Sequence, residues 1–181
     1  MLETIQKADN LMLDFIYHNM RFGILDIIMP FISVLGNFGF IWIVTAIVFI
    51  CKRRFRIVGI TVLVALLLCG LIGNLGLKPL FARSRPYDVI PEIVLLIPRP
   101  SDYSFPSGHT MSSFAAATVI FWHYKRFGFL ALLFGVLMAI SRLYLCVHYI
   151  TDIFGGVIFG IGFGILSIFL IRAAHKRILN A

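Results

Sequence analysis

Eight residues in three well-separated segments of this chain have the types and spacing of a site that handles phosphate. Lys78 and Arg85 are separated by six residues, with Pro86 following; Pro106, Ser107, Gly108 and His109 are consecutive; and Ser141-Arg142 precedes His148 by five residues, with Asp152 after three more. Each segment borders a long apolar run, and ionisable groups at membrane depth are costly enough to be read first as functional. His148 and Asp152 stand four apart at the start of such a run, a spacing that puts both on one helical face. A carboxylate there accepts the Nδ1–H of the imidazole and leaves Nε2 free as a nucleophile or base. His-x-x-x-Asp alone is more often a histidine satisfied by a nearby acid, so its weight comes from its companions.

Ser107, Gly108 and His109 open a run after Pro106. Helix N-termini bind anions through free N–H groups and the dipole; glycine admits close backbone approach and the serine hydroxyl adds a donor. A plain serine N-cap accounts for most of this tetrapeptide but leaves His109 unexplained. Lys78, Arg85 and Arg142 supply three cations, arginine for bidentate phosphate recognition and lysine as a compact charge. Snorkelling to the interface accounts for Lys78 and better still for Arg83. Arg142 lies deeper and needs an anion, either a phosphate or Asp152 in a structural salt bridge. Two histidines and an aspartate are also a possible metal set, but three cations repel a divalent ion and attract phosphate, so neither metal nor cofactor is expected. The combination suits phosphoryl transfer: His148 attacks phosphorus, His109 protonates the leaving oxygen and then activates water, and the cations with the backbone donors stabilise the equatorial oxygens.

The elements that must position these residues are set by composition. Of 181 residues, 60% are hydrophobic and only 13% charged, about half the charge of an ordinary soluble domain. Uncharged or nearly uncharged runs cover 31–51, 57–77, 107–124, 127–147 and 153–171, each near the ~20 residues that span a bilayer. Helices are the default there, because lipid offers no partner to backbone polar groups. The expectation is an all-α integral membrane protein, one domain over 1–181, built as a compact bundle of five or six transmembrane helices. Residues 1–30 would form an N-terminal interfacial segment with an amphipathic helix, its apolar Ile5, Leu11, Leu13, Phe15 and Ile16 set against Glu3, Lys7, Asp9 and Asp14. Five spans are favoured; a separate crossing by residues 22–35 would make six. The acids near the start argue against a secretory signal.

The net charge of +8 reflects topology and not nucleic acid. Nine Lys/Arg (Lys52, Arg53, Arg54, Arg56, Lys125, Arg126, Arg172, Lys176, Arg177) fall in alternate connections and at the end of the last run, which makes that side, and the C-terminus, cytoplasmic. The three site segments then converge at the extracytoplasmic end. Residues 78–106 form the one long connection, an active-site loop containing Pro86, Pro91, Pro98, Pro100 and Pro106, whose stretch from Ile93 to Ile97 contacts either lipid or the bundle. Glycines 156, 160 and 164 form a small-residue face for helix packing, within the bundle or between subunits. Cys51, Cys69 and Cys146 have no metal spacing and no disulfide is expected.

With these residues in place, the chain resembles the type-2 phosphatidic acid phosphatase family, which shares its site with vanadium haloperoxidases. The three signatures K-x6-R-P, P-S-G-H and S-R-x5-H-x3-D are complete and in order over residues 78–152. The resemblance implies His148 as nucleophile, Asp152 as its orienter and His109 as acid/base, with Lys78, Arg85, Ser107, Gly108 and Arg142 binding phosphate. It implies a lipid phosphate substrate in the bilayer: a polyprenyl diphosphate such as undecaprenyl diphosphate, or a glycerolipid phosphate such as phosphatidic acid or phosphatidylglycerol phosphate. Members of the bacitracin-resistance type often carry Asp where Gly108 stands, so both substrate groups stay open. A lipid phosphotransferase would use the same site with another acceptor. A non-catalytic phospholipid or anion transporter would need a discontinuous or inverted-repeat helix pattern, neither of which is visible in the sequence, and an intramembrane protease using Ser107 would not need three cations. Oligomeric state is not legible.

Overall fold

The structure, a computed structural model, describes residues 2–179 and is all-helical among them. Helix α1 covers Leu2–Asn19, α2 Leu25–Leu35, α3 Phe40–Cys51 and α4 Arg56–Leu68. Helix α4 continues through a π-helical stretch, Cys69–Leu77, into the single turn α5, Lys78–Phe81. A second single turn, α6 (Pro86–Val89), stands in the long connection, followed by α7 (Gly108–His123), α8 (Lys125–Tyr144) and α9 (Ile150–Leu179).

Among the described residues, three helical stretches are long and apolar enough to cross a membrane: Arg53–Val89, Lys125–Tyr144 and Ile150–Arg177. A fourth forms if α2 and α3, bent by 49° at their junction, count as one broken span. This is an integral membrane protein with three to four helices that meet that length and composition, which does not by itself reach the five or six spans expected. The reason is in two places. The run from 31 to 51 starts earlier, at Leu25, and breaks at Gly36–Gly39, where Phe38 (φ 53°) and Gly39 (φ 72°) are both left-handed. Helix α2 alone, at ~1.5 Å per residue, reaches only about 17 Å. The third expected span is α7, at 16 residues short of a full crossing by length alone.

Helix α7 is the centre of the bundle. It packs most extensively on α9 and α8 and also touches α4. Ala115, Ala116 and Ala117 are fully buried, so small side chains let neighbours close on every face. The apolar core joins Trp42 and Ala46 of α3, Val58, Val62 and Ala65 of α4, Val119 and Ile120 of α7, and Phe163 and Ile168 of α9. Trp42 Nε1 donates to Ser113 Oγ (3.0 Å), tying α3 to this centre. The glycine face of α9 lies against α7 within the same chain: a Cβ on Gly156 would stand 2.8 Å from the Ser107 carbonyl, one on Gly164 2.8 Å from that of Ala115, and one on Gly160 would strike that of Met111. Outward-facing residues stay apolar, as Leu67, Leu75, Leu130, Ile158 and Phe169 show, each more than half exposed. Surface of that extent belongs in lipid.

The basic turns gather at one end. Phe55 of the α3–α4 turn stacks edge-on against Tyr124 of the α7–α8 turn (4.9 Å), and Arg172 of α9 lies over Trp122 (5.5 Å). The N-terminal helix departs from expectation. Its Leu13 and Ile16 are buried while Leu11 and Phe15 are exposed, but Asp9, assigned to the polar face, is 1% exposed and points inward.

Candidate active site

The opposite end of the bundle collects all eight residues. Lys78 arrives on the π-helical end of α4, a distortion that often accompanies functional positions; Ala82 (φ 44°) ends the helix behind it. The Arg-Pro pair has a local reason: Arg85 is the N-cap of α6, its N–H donating to Asp88 Oδ2 (3.2 Å), and Pro86 fills the first helical position, which needs no N–H. Lys78 and Arg85 are each 3% exposed. Ser107 is at the N-cap position of α7; its N–H donates to the Asp152 carbonyl (3.1 Å) and its hydroxyl accepts from Thr110 (3.1 Å), so the side chain makes no capping bond, unlike a plain serine N-cap. The first N–H groups of α7 are left without intrahelical acceptors. Gly108 has a packing reason as well: a Cβ there would come within 2.8 Å of Asn74 Oδ1.

Helix α8 ends at Tyr144, and Cys146 (φ 54°) turns the chain towards α9. His148 therefore lies just before α9, not on it. Asp152, in the first turn, closes half a capping box by accepting the Tyr149 N–H (2.9 Å). The two side chains still meet: His148 Nδ1 is 3.5 Å from Asp152 Oδ2, and the other ring nitrogen, Nε2, is 3.3 Å from Arg85 Nη1. Arg85 Nη1 also donates to the Val147 carbonyl (2.6 Å). Burial first, then the guanidiniums of Arg85 and Arg142, push the imidazole well below its usual range. His148 is 1% exposed, with Nδ1 towards a carboxylate and Nε2 towards a guanidinium. His109 stands in the first turn of α7. It reaches across to the α2–α3 break, where its Nε2 pairs with Asn37 Oδ1 (3.0 Å).

Arg142 does not pair with Asp152. Its guanidinium, 2% exposed, donates to the Ser33 hydroxyl of α2, and its Nε–H has no partner among the described residues. Arg83, expected to snorkel, instead turns inward and holds Asp152: Nη1 to Asp152 Oδ1 (2.5 Å) and Thr151 Oγ1 (2.7 Å), Nη2 to Asp9 Oδ2 (2.7 Å) and Gln6 Oε1 (2.8 Å), with the guanidinium over the Tyr149 ring (4.2 Å). Asp9 in turn accepts from the Thr151 N–H (3.1 Å) and hydroxyl (2.5 Å). Ser104 Oγ donates to Asp152 Oδ2 (2.5 Å).

Sequence reasoning also missed Asp102. Its carboxylate pairs with Lys78 and with Arg85 Nη2 (2.6 Å), and its carbonyl accepts from Arg85 Nε (2.7 Å). Burial alone would raise this carboxyl, but Lys78 and then Arg85 outweigh it and hold it well below the usual carboxylate range. The connection around it alternates: Ile93, Leu95 and Ile97 pack on Met29, Tyr87, Tyr144, Leu145 and Val147, whereas Val94 and Leu96 face outward. Among the described residues no group of three His, Cys, Asp or Glu side chains is arranged to hold a metal, and the cysteines are free.

Fold and site together define a membrane-embedded hydrolase of phosphate esters or anhydrides. The PAP2 superfamily profile matches residues 58–176. The undecaprenyl-diphosphatase of Sulfolobus acidocaldarius is 34% identical over 78% of this chain and 68% of its own. The undecaprenyl-diphosphatase BcrC of Bacillus subtilis is 30% identical over 83% and 75%. The crystal structure of a transmembrane PAP2-type phosphatidylglycerolphosphate phosphatase from Bacillus subtilis superposes with a TM-score of 0.74 at 28% identity, covering 97% of this chain and 88% of that one. The chain belongs to the PAP2 superfamily, and it is a membrane phosphatase acting on lipid phosphates or diphosphates.

Proposed function

We propose that hydrolysis runs through a phosphohistidine on His148. Nε2 attacks phosphorus in line, the P–O bond to the leaving group breaks, and His109 gives that oxygen its proton. Water, deprotonated by His109, then attacks phosphorus; the P–N bond breaks and phosphate departs. Lys78, Arg85, Arg142, the Ser107 hydroxyl and the N–H groups at Gly108 stabilise the equatorial oxygens, the main source of catalysis in this chemistry. Asp152 keeps the proton on Nδ1, so Nε2 presents its lone pair. The cations supply the charge stabilisation that a metal supplies elsewhere. The observation that carries the reading is the ring of His148, with Asp152 on one nitrogen and Arg85 on the other.

The substrate class that fits is a lipid whose phosphate or diphosphate reaches the bundle end from the bilayer: undecaprenyl diphosphate, as the names of two relatives suggest, or phosphatidylglycerol phosphate, as that of the superposed structure suggests. We place α7 as a fifth, central span beside α2–α3, α4, α8 and α9, with the basic turns cytoplasmic and the site extracytoplasmic. The test is phosphate release by purified protein from undecaprenyl diphosphate, phosphatidic acid and phosphatidylglycerol phosphate. His148→Ala should release none from any of them; retained release would reject the nucleophile. Free phosphate in stoichiometric yield would also exclude a transferase.

A further inference from the structure

The seat for a substrate phosphate already contains an anion. We propose that the Asp102 carboxylate is an internal competitor for the phosphate seat, which a substrate must displace before it can reach His148. The proposal rests on the reading above only for where phosphate binds.

Lys78 and Arg85 are buried to 3% exposure, yet the carboxylate that joins them is 52% exposed. It enters from outside, as a headgroup would, and makes the contacts a phosphate would make: one oxygen on the Lys78 ammonium, the other on the Arg85 fork. The Arg85 guanidinium that it occupies is the one 3.3 Å from His148 Nε2. With His148 only 1% exposed, the nucleophile has no open approach in this arrangement.

The carrier is short and fixed at both ends. The Tyr87 hydroxyl donates to the Pro100 carbonyl (2.6 Å), and the Ser104 N–H donates to the Arg83 carbonyl (2.9 Å). Between them Ser101, Asp102 and Tyr103 are exposed. Their ties are those to the two cations, with Lys78 Nζ also donating to the Tyr103 carbonyl (2.9 Å) and Arg85 Nε to that of Asp102 (2.7 Å). A three-residue flap can lift without disturbing Ser104, which stays on Asp152. Among the described residues the Arg142 Nε–H has no partner, so the carboxylate fills only part of the seat. A phosphate offers more oxygens and more charge than the carboxylate it replaces.

When only an open fraction of the protein binds, every apparent dissociation constant is raised by the same factor. That separates competition from direct contact with the substrate. Purified full-length protein, Asp102→Asn and Asp102→Ala are titrated calorimetrically with inorganic phosphate and with orthovanadate, and KM is measured for two lipid phosphates of different headgroup. Both variants should bind both anions at least tenfold more tightly than wild type, with the two KM values falling by a common factor, while Asp102→Glu should stay close to wild type. Unchanged or weaker anion binding in Asp102→Asn and Asp102→Ala overturns the proposal and makes Asp102 a support that orders Lys78 and Arg85. A KM that falls for one lipid alone also overturns it. Failure of every lipid to release phosphate would instead strike the assigned reaction, since anion titration reads the seat without turnover.

Discussion

Arg142 shows how a single side chain reports what its surroundings lack. A guanidinium has five donors, and burying it with one unanswered is costly unless a ligand completes the set. Ser33, a neutral partner, stabilises its position without neutralising its charge. Replacing Arg142 by Gln should raise KM for every lipid phosphate and weaken vanadate inhibition by about 10- to 100-fold, the scale of one or two charge-assisted hydrogen bonds. Unchanged vanadate inhibition would make Arg142 a structural residue. The eight residues proposed for the site could be named from spacing because their motifs are local in sequence. Asp9, Arg83 and Asp102 could not, because each acts across the fold: Asp9 meets Thr151 142 positions away, and Asp102 meets Arg85 across a loop whose path no periodicity reveals.

At the scale of elements, α1 does more than lie on the bundle. Its Asp9 and Gln6 hold one side of Arg83, whose other side holds Asp152, so this helix is part of what fixes the carboxylate to which the proposed mechanism gives the orientation of His148. Removing the charge in Asp9→Asn should let Arg83 and Asp152 drift. A small misplacement at a reacting group costs on the order of 10- to 100-fold in rate, so kcat should fall by about that range with KM little changed, and Asp9→Glu should restore part of it. A changed KM with constant kcat would instead attach α1 to substrate binding. Helix α9 offers a cleaner contrast. Gly160→Ala pushes a methyl into the Met111 carbonyl of α7 and should cost about 1–3 kcal/mol, read as a lower melting temperature in detergent. Gly162, two positions on, has nothing within 4 Å of an added Cβ, so Gly162→Ala should melt like wild type. The four-residue glycine spacing was legible in the sequence; that its partner is α7 of the same chain was not, since small-residue faces serve any close helix contact.

For the whole molecule, the two ends differ in kind. One carries the site, partly neutralised by Asp102, Asp152 and Asp9; the other carries Lys52, Arg53, Arg54, Arg56, Lys125 and Arg126 without an acid among them. Helix α4 runs from the second end to the first, and α7 returns, so deciding the side of one decides the other. The chain contains its own reporter. Cys51, at the basic end where α3 meets the turn, is exposed, whereas Cys69 and Cys146 are buried. In intact cells expressing the protein, a membrane-impermeant maleimide should leave Cys51 unlabelled; in inverted membrane vesicles it should label it, with Cys51→Ser abolishing the signal. Labelling in intact cells would turn the molecule over and put the phosphate seat on the cytoplasmic side, where a lipid diphosphate released by an external reaction could not reach it without first crossing the bilayer.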